Sequence, residues 1–502
     1  MEDLKKLVAI VVRRKQRQYP LLELKSVAEN ASKENLFFRL IKKGQVNSDG
    51  EAAHLLYSAT EQDDRYRMLK SRLKQKLLNH LYFLDFTEKH QQLAFQLEQE
   101  CIQYIHQARM LMFTDERKIA RNLLHKAVVL GGRGEFTKLR KSGLEHLLEL
   151  YSTNFQPHLY QKTLAELRRV RKLEELEEEG RVLYLYHWMM VVKSVNSRKK
   201  NLGKTKKALD RLEAIWRETR SYNTFEQFYR LRLLYSKLMG DFESITPWLK
   251  DIGKGFYDKQ KLNSLRINHG EITLELLHAY WRTGELKKCL DLANAQIKLF
   301  DTEVVGWYEV VNYAFLSSLA LCEFGESERL VELVIHDKGF SRLQAEESDK
   351  WKLYEAYLQF ASQGSFASRR LRLQEIQTSL PPDEKNREGY QAALLIYQFL
   401  YFARKGDIPA LEKRRDILRE LMANHFKENF SYRTRTFYKL LNIVVEQNLD
   451  YRKILGRSRY LVNKLGEIKV VSDAYTEMEI VPYEQLWDKL LQIIQEPRAA
   501  TA

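Results

Sequence analysis

Gly203-Lys204-Thr205 has the ending of a phosphate-binding loop, in which backbone amides and a lysine cradle a polyphosphate. Such a loop needs a glycine five residues before Gly203 and a strand ahead of it. Arg198 occupies that position within a helical pattern, so no nucleotide loop is expected. Gly131-Gly132-Arg133-Gly134 follows no strand and lacks dinucleotide register, and it is expected to end a helix. His269-Gly270-Glu271 matches the start of a zinc deaminase motif, but no paired cysteines follow. No two of the 12 histidines lie four apart, as two ligands on one helix face would. Cys101, Cys289 and Cys322 have no metal-type spacing; Cys289 and Cys322 fall in apolar helical patterns and read as buried small hydrophobes. No catalytic residue, cofactor site or metal site is expected, and the chain reads as a non-enzyme.

Charge offers more. Arg168, Arg169, Arg171 and Lys172 precede the acidic run Glu174, Glu175, Glu177, Glu178 and Glu179 on one expected helix, where residues three and four apart pair, as Arg171 with Glu175. Arg198, Lys199, Lys200, Lys204, Lys206 and Lys207 follow one helix later. Stacked neighbouring helices bring such groups to one ridge able to track phosphates, while the plainer reading is a solvated lysine-rich turn. Aromatic residues for base stacking are absent from 193–207. In the N-terminal segment, Arg65, Arg67, Lys70, Arg72, Lys74 and Lys76 lie along a third expected helix. Three short helices with a basic third fit either a capping bundle or a DNA-reading helix-turn-helix unit.

The elements that position these residues follow from length and composition. The 502 residues suggest several domains or a repeat array. Only 21 glycines and 8 prolines argue against a β-sandwich or barrel, which needs frequent turn residues. The net charge of +16 is uneven: successive hundreds carry +4, +8, +6, −6 and +4. No stretch reaches the roughly 18 apolar residues of a membrane span, and the N-terminal order of apolar run then charge is the reverse of a signal peptide. A cytoplasmic location without membrane partners is expected.

Glycines recur between aromatic-rich and amphipathic helical runs: Gly240, Gly284, Gly325, Gly364 and Gly406, spaced 44, 41, 39 and 42 residues apart. The phase extends forward to Asn448 and backward to Ser197, Asn154 and Thr114. A tight helix-to-helix turn needs one residue with positive φ, which glycine adopts most easily and asparagine next. Apolar residues at steps of three and four, as Trp351, Tyr354, Leu358 and Ala361, mark the flanking helices. Ser48 with Glu51, and Thr224 with Gln227, read as capping boxes.

Residues 276–297 resemble a tetratricopeptide-like unit: Tyr280 precedes the turn glycine Gly284, with Leu286 and Cys289 two and five residues after it. The step near 42 exceeds the family's roughly 34, and Ile245, Leu330, Arg369 and Leu411 stand where small residues are usual. The resemblance implies an all-α, right-handed α-solenoid of helix-turn-helix repeats with atypical helical caps at both ends. The expected layout is a helical cap or basic three-helix module over 1–90, a solenoid over 91–465, and an irregular segment with a capping helix over 466–502. Such a fold implies a non-catalytic scaffold or adaptor that binds a protein or peptide on its concave face. The alternative is a nucleic-acid-associated regulator with the basic N-terminal module.

Overall fold

The computed structural model describes residues 32–46, 48–80, 93–192, 195–298, 306–337, 339–340, 345–363, 388–425, 432–467 and 479–495. These residues are almost wholly helical, and helices adjacent in sequence pack against each other in order. The one sheet is a two-residue antiparallel ladder, Phe256–Tyr257 with Gln260–Lys261. The chain forms two compact units, Met1–Val170 and Arg171–Ala502. Their boundary falls inside a continuous helix; the boundary expected near residue 90 lies outside the described residues.

In the first unit, α1 (Lys33–Lys42), α2 (Asp49–Tyr57) and α3 (Asp64–His80) enclose Phe37, Ala53, Leu56, Tyr66, Leu69 and Leu73. Ser48 caps α2, its Oγ accepting from the Glu51 amide at 3.3 Å, as the capping box predicts. Then come α4 (Leu93–Phe113), α5 (Arg117–Arg133), α6 (Thr137–Thr153) and the long α7 (Pro157–Val192), which crosses into the second unit.

The second unit continues with α8 (Val195–Thr219), α9 (Tyr222–Met239), α10 (Phe242–Gly253), α11 (His269–Thr283), α12 (Leu286–Ile297), α13 (Trp307–Ala320) and α14 (Phe324–Ile335). It ends with α15 (Ala345–Gln363), α16 (Glu388–Lys405), α17 (Ile408–His425), α18 (Tyr432–Glu446), α19 (Tyr451–Glu467) and α20 (Tyr483–Gln495). A core built from the apolar faces of α7–α11 includes Trp216, Phe225, Phe228 and Trp248. A second core runs from Leu277 on α11 to Ile494 on α20.

One turn recurs through both units. A residue with positive φ follows a helix at Asp115, Glu135, Phe155, Gly240, Gly284, Cys322, Gly406 and Asn448. Each time, its amide donates three residues back and the next amide donates five back, the latter at 2.8–3.2 Å. This pair of bonds satisfies two of the helix's four orphan carbonyls while reversing the chain. An aspartate then caps the next helix in three cases. Asp241 accepts from the Ser244 amide, Asp407 from Ala410 and Asp450 from Lys453.

The expected turn positions hold at Gly240, Gly284, Gly406 and Asn448, and lie one residue early at Thr114 and Asn154. Three readings change. Gly325 lies inside α14, and the left-handed residue is Cys322, which is exposed at the turn rather than buried in an apolar stripe. Ser197 lies within α8. Thr224 sits in the first turn of α9, which Ser221 caps instead, its Oγ accepting from the Asn223 amide. Gly364 is outside the described residues.

The last helix returns to earlier ones. Tyr483, Leu486, Trp487 and Leu490 of α20 are buried, and Tyr483 stacks on Phe437 of α18 at 4.4 Å between centroids. Buried Arg433 binds Glu479 and Glu484 at 2.6–3.1 Å and donates to the Leu465 carbonyl at 3.0 Å. The Gln485 amide nitrogen donates to the Ala320 carbonyl at the end of α13.

Substitutions at two turns check this geometry. Gly284→Val forces a β-branched residue to positive φ and is expected to cost about 1–3 kcal/mol. Cys322→Gly, in the same unit and the same turn type, is expected to leave the urea midpoint unchanged or raise it, because no buried contact is lost. A Gly284→Val midpoint equal to the parent's, or a clear drop with Cys322→Gly, would contradict the left-handed assignment.

Candidate functional site

The sequence motifs resolve into ordinary helix chemistry. Gly203 and Lys204 lie within α8, and Thr205 Oγ1 donates to the Asn201 carbonyl. Asn268 caps α11 by accepting from the Glu271 amide, which places His269-Gly270-Glu271 in its first turn. Gly131 lies in the last turn of α5 against Arg140, where a Cβ would stand only 3.0 Å from the Arg140 Cβ. Cys101 and Cys289 are buried, and burial pushes each thiol up to about 11. Among the described residues, no group of three His, Cys, Asp or Glu side chains is placed to hold a metal ion. No described helix is long and apolar enough to cross a membrane.

The basic third helix of the N-terminal bundle is largely neutralised by its own bundle. Arg72 and Lys76 both reach Glu34 of α1, at 3.4 and 3.2 Å. Lys70 reaches Asp49 of α2 at 2.7 Å, while Arg65 and Arg67 pair with Asp63 and Asp64. Lys70, Arg72 and Lys76 thus tie α3 to the other two helices, which weakens their use as a phosphate-binding face.

Among the described residues, the second basic set is spread along α7 and α8. α7 and α8 run antiparallel: His187 Nδ1 meets Thr205 Oγ1 at 3.2 Å, and Arg211 makes a bidentate pair with Glu179 at 2.7 and 2.8 Å. Lys204, Lys206 and Lys207 therefore sit near the level of His187. Arg171 and Lys172 lie a further 15 or so residues back along α7, about 22 Å at 1.5 Å per residue. Arg168 and Arg169 precede them in the first unit. All seven are exposed, and Lys206 pairs with Asp210 at 3.2 Å. The side chains of Arg198, Lys199 and Lys200 lie outside the described residues.

A polar cluster crosses the α9–α11 interface. Lys237 pairs with Glu275 at 2.7 Å, and His278 packs between the rings of Phe242 and Tyr313. Burial, with Lys237 and Arg282 adding repulsion, drops the pKa of His278 to about 3. Burial raises Glu271 above its ordinary 4.5, with the Arg230 charge opposing. Both groups are driven toward their neutral forms, as a packed interface favours.

The surface with recognition character is the outer face of α7. Gly180, His187 and Val191 of that helix are buried, and Leu183 and Tyr184 pack toward the core. The opposite side carries Val182, Leu185, Tyr186 and Met189, with Trp188 at its edge, each 45–56% exposed. A helix that is apolar all round is normally enclosed on both sides. The sequence reading passed over these five residues, although the run 182–192 contains no charged residue.

Neither a protein-family model, nor a curated protein, nor a solved structure matches this chain.

His278, half-buried between two rings, yields a pH test. The unfolded chain takes up a proton at His278 near pH 6.5, and the folded chain does not until about pH 3. Its contribution to stability is thus fully present above pH 6.5 and is lost as pH falls toward 3, at up to about 1.4 kcal/mol per pH unit. The effect of Glu271 has the opposite sign and is common to parent and variant. Between about pH 7.5 and about pH 5.5, the parent's urea midpoint should fall more than that of His278→Gln. Parallel falls would show that His278 does not resist protonation.

Proposed function

We propose that this chain is a non-catalytic helical-repeat protein, a right-handed α-solenoid, that binds a protein or peptide through the outer face of α7. The observation that carries the reading is the double-sided apolar character of α7 over Val182–Met189. Exposed Trp, Tyr, Leu and Met side chains clustered on one rigid helix have the composition of an interface core. A single fully buried side chain of this size is worth about 1.5–3 kcal/mol, so a few anchors suffice for a specific complex. Lys204, Lys206 and Lys207 near this level of α7 favour a partner with acidic residues flanking its apolar anchors.

The tetratricopeptide-like resemblance supports the same function, since each hairpin leaves its outward faces free for contact. The turn geometry and in-order packing of the helices support the repeat reading.

A photo-crosslinking residue at Leu185, followed by mass spectrometry of the adducts, tests the proposal. A defined acidic partner is expected, with Trp188→Ala weakening its binding by about 2 kcal/mol, or roughly 30-fold. The melting temperature should fall only slightly, because the Trp188 side chain stands at the edge of the exposed face, 45% open to solvent. A partner that binds Trp188→Ala and Leu185→Asp as tightly as the parent would remove α7 from the interface.

A further inference from the structure

Helix α19 is the second helix of the last helical hairpin, after Asn448 turns the chain back from α18. Its inward face is Ile454, Ser458, Leu461 and Leu465. Its outward side, an arc of about 160° at 100° per residue, carries exposed Arg452, Lys453, Arg457 and Arg459, with half-buried Lys464 in the same arc and Glu467 as the one acidic residue of the helix. Lys453 pairs with the capping Asp450 at 3.2 Å. Among the described residues, Arg452, Arg457 and Arg459 have no ion-pair partner, unlike most cations of α3. Desolvated pairing is thus absent from this face, and its field points to solvent.

Within this field stands Tyr460, 72% exposed, with the Lys464 ammonium 5.9 Å from its ring centre. An exposed ring without apolar neighbours gains nothing for folding. Beside guanidinium groups, it forms a platform on which a base can stack while phosphates meet the cations. Arg452 to Lys464 spans about 18 Å along the helix, room for several phosphates. A membrane surface fits less well. Insertion needs a continuous apolar face, and the exposed apolar residues, Leu455 and Tyr460, lie about 140° apart around the helix at 100° per residue.

We propose that the outward face of α19 binds single-stranded nucleic acid, with Arg452, Arg457, Arg459 and Lys464 on phosphates and Tyr460 stacked on a base. The site is independent of the α7 surface.

The test uses the full chain and a fluorescein-labelled oligouridine of about 15 nucleotides, followed by anisotropy. If four or five phosphates are neutralised, affinity should fall roughly 50- to 130-fold between about 50 and about 200 mM salt. Reversing Arg452, Arg457 and Arg459 to Glu should abolish binding, and the same three changed to Gln should weaken it at least tenfold. The same reversal of Lys204, Lys206 and Lys207 should change affinity little. Tyr460→Ala should cost roughly 5- to 100-fold without altering the salt slope, a readout that charge alone would not move. Circular dichroism melts of the variants should match the parent, since these side chains are solvated. The proposal is overturned by no binding at the lower salt, by parental affinity in the arginine or Tyr460 variants, or by loss of binding in the lysine variant. Tighter binding of a duplex of equal length, or of phosphatidylserine vesicles, overturns it equally.

Discussion

A helix that ends inside a packed array has four carbonyls without intrahelical partners, and a close neighbour excludes much of the water that would otherwise serve them. The recurring left-handed turn meets this constraint in very few residues. Its two backbone bonds cover the last carbonyls and set the next helix antiparallel to the one just finished. Helices joined this way pack beside their sequence neighbours, and apolar faces meet across each hairpin. The cores centred on Trp216 and on Phe315 are consequences of that repetition. So is the division between inner faces, which must be apolar, and outer faces, which are free to vary.

The turns also decide how much was legible in the sequence. Where φ is positive at Gly240, Gly284, Gly406 or Asn448, the residue type announces the geometry. At Glu135, Phe155 and Cys322 it does not, because a single non-glycine residue at positive φ pays only a modest strain and the neighbouring helices over-determine its conformation. Phe155, 91% exposed, has no packing reason to be where it is. Gly325 misled by three residues because a glycine in the first turn of a helix looks the same in sequence as one that ends the preceding helix. The capping serine Ser221 was passed over for Thr224 on similar grounds. The charged surface was harder still to read. Two of the acids that neutralise α3, Glu34 and Asp49, are on α1 and α2, so pattern along α3 alone could not separate paired from free cations. Likewise, the uncharged run 182–192 is visible in the sequence, but which of its sides is enclosed depends on α8 and α9.

The C-terminal end is held by a different kind of interaction. A buried arginine alone would be costly, because removing its charge from water requires several kcal/mol of compensation. Arg433 has that compensation from two carboxylates and a helix-terminal carbonyl. The hydrogen bonds have direction, so they fix where residues 479–484 must sit. Stacking of Tyr483 on Phe437 and burial of Trp487 then follow as α20 settles. The bond from Gln485 to the Ala320 carbonyl joins residues 165 apart in sequence. Neighbour-to-neighbour packing, the rule elsewhere, gives way here to a long-range closure, and that closure covers apolar surface that the last hairpin would otherwise leave open.

Net charge says little until pairing is known. The chain carries +16, but the cations differ in whether an acid already sits beside them. On α3 the field is spent within the bundle. On α7 and α8, Glu178 pairs with Arg181, Glu179 with Arg211 and Asp210 with Lys206. Among the described residues, Lys453 alone of the cations on α19 has such a partner. Coulomb energies in water are small for a single exposed charge, so an unpaired arginine costs folding almost nothing. Selection for stability therefore has no reason to assemble several of them, with an exposed tyrosine among them, on one helix face. The same reasoning applies to the apolar outer face of α7, where each exposed side chain loses the free energy that burial would provide. Both surfaces are neutral or unfavourable for folding, and both sit on helices whose opposite faces are well packed, so their rigidity comes from the array.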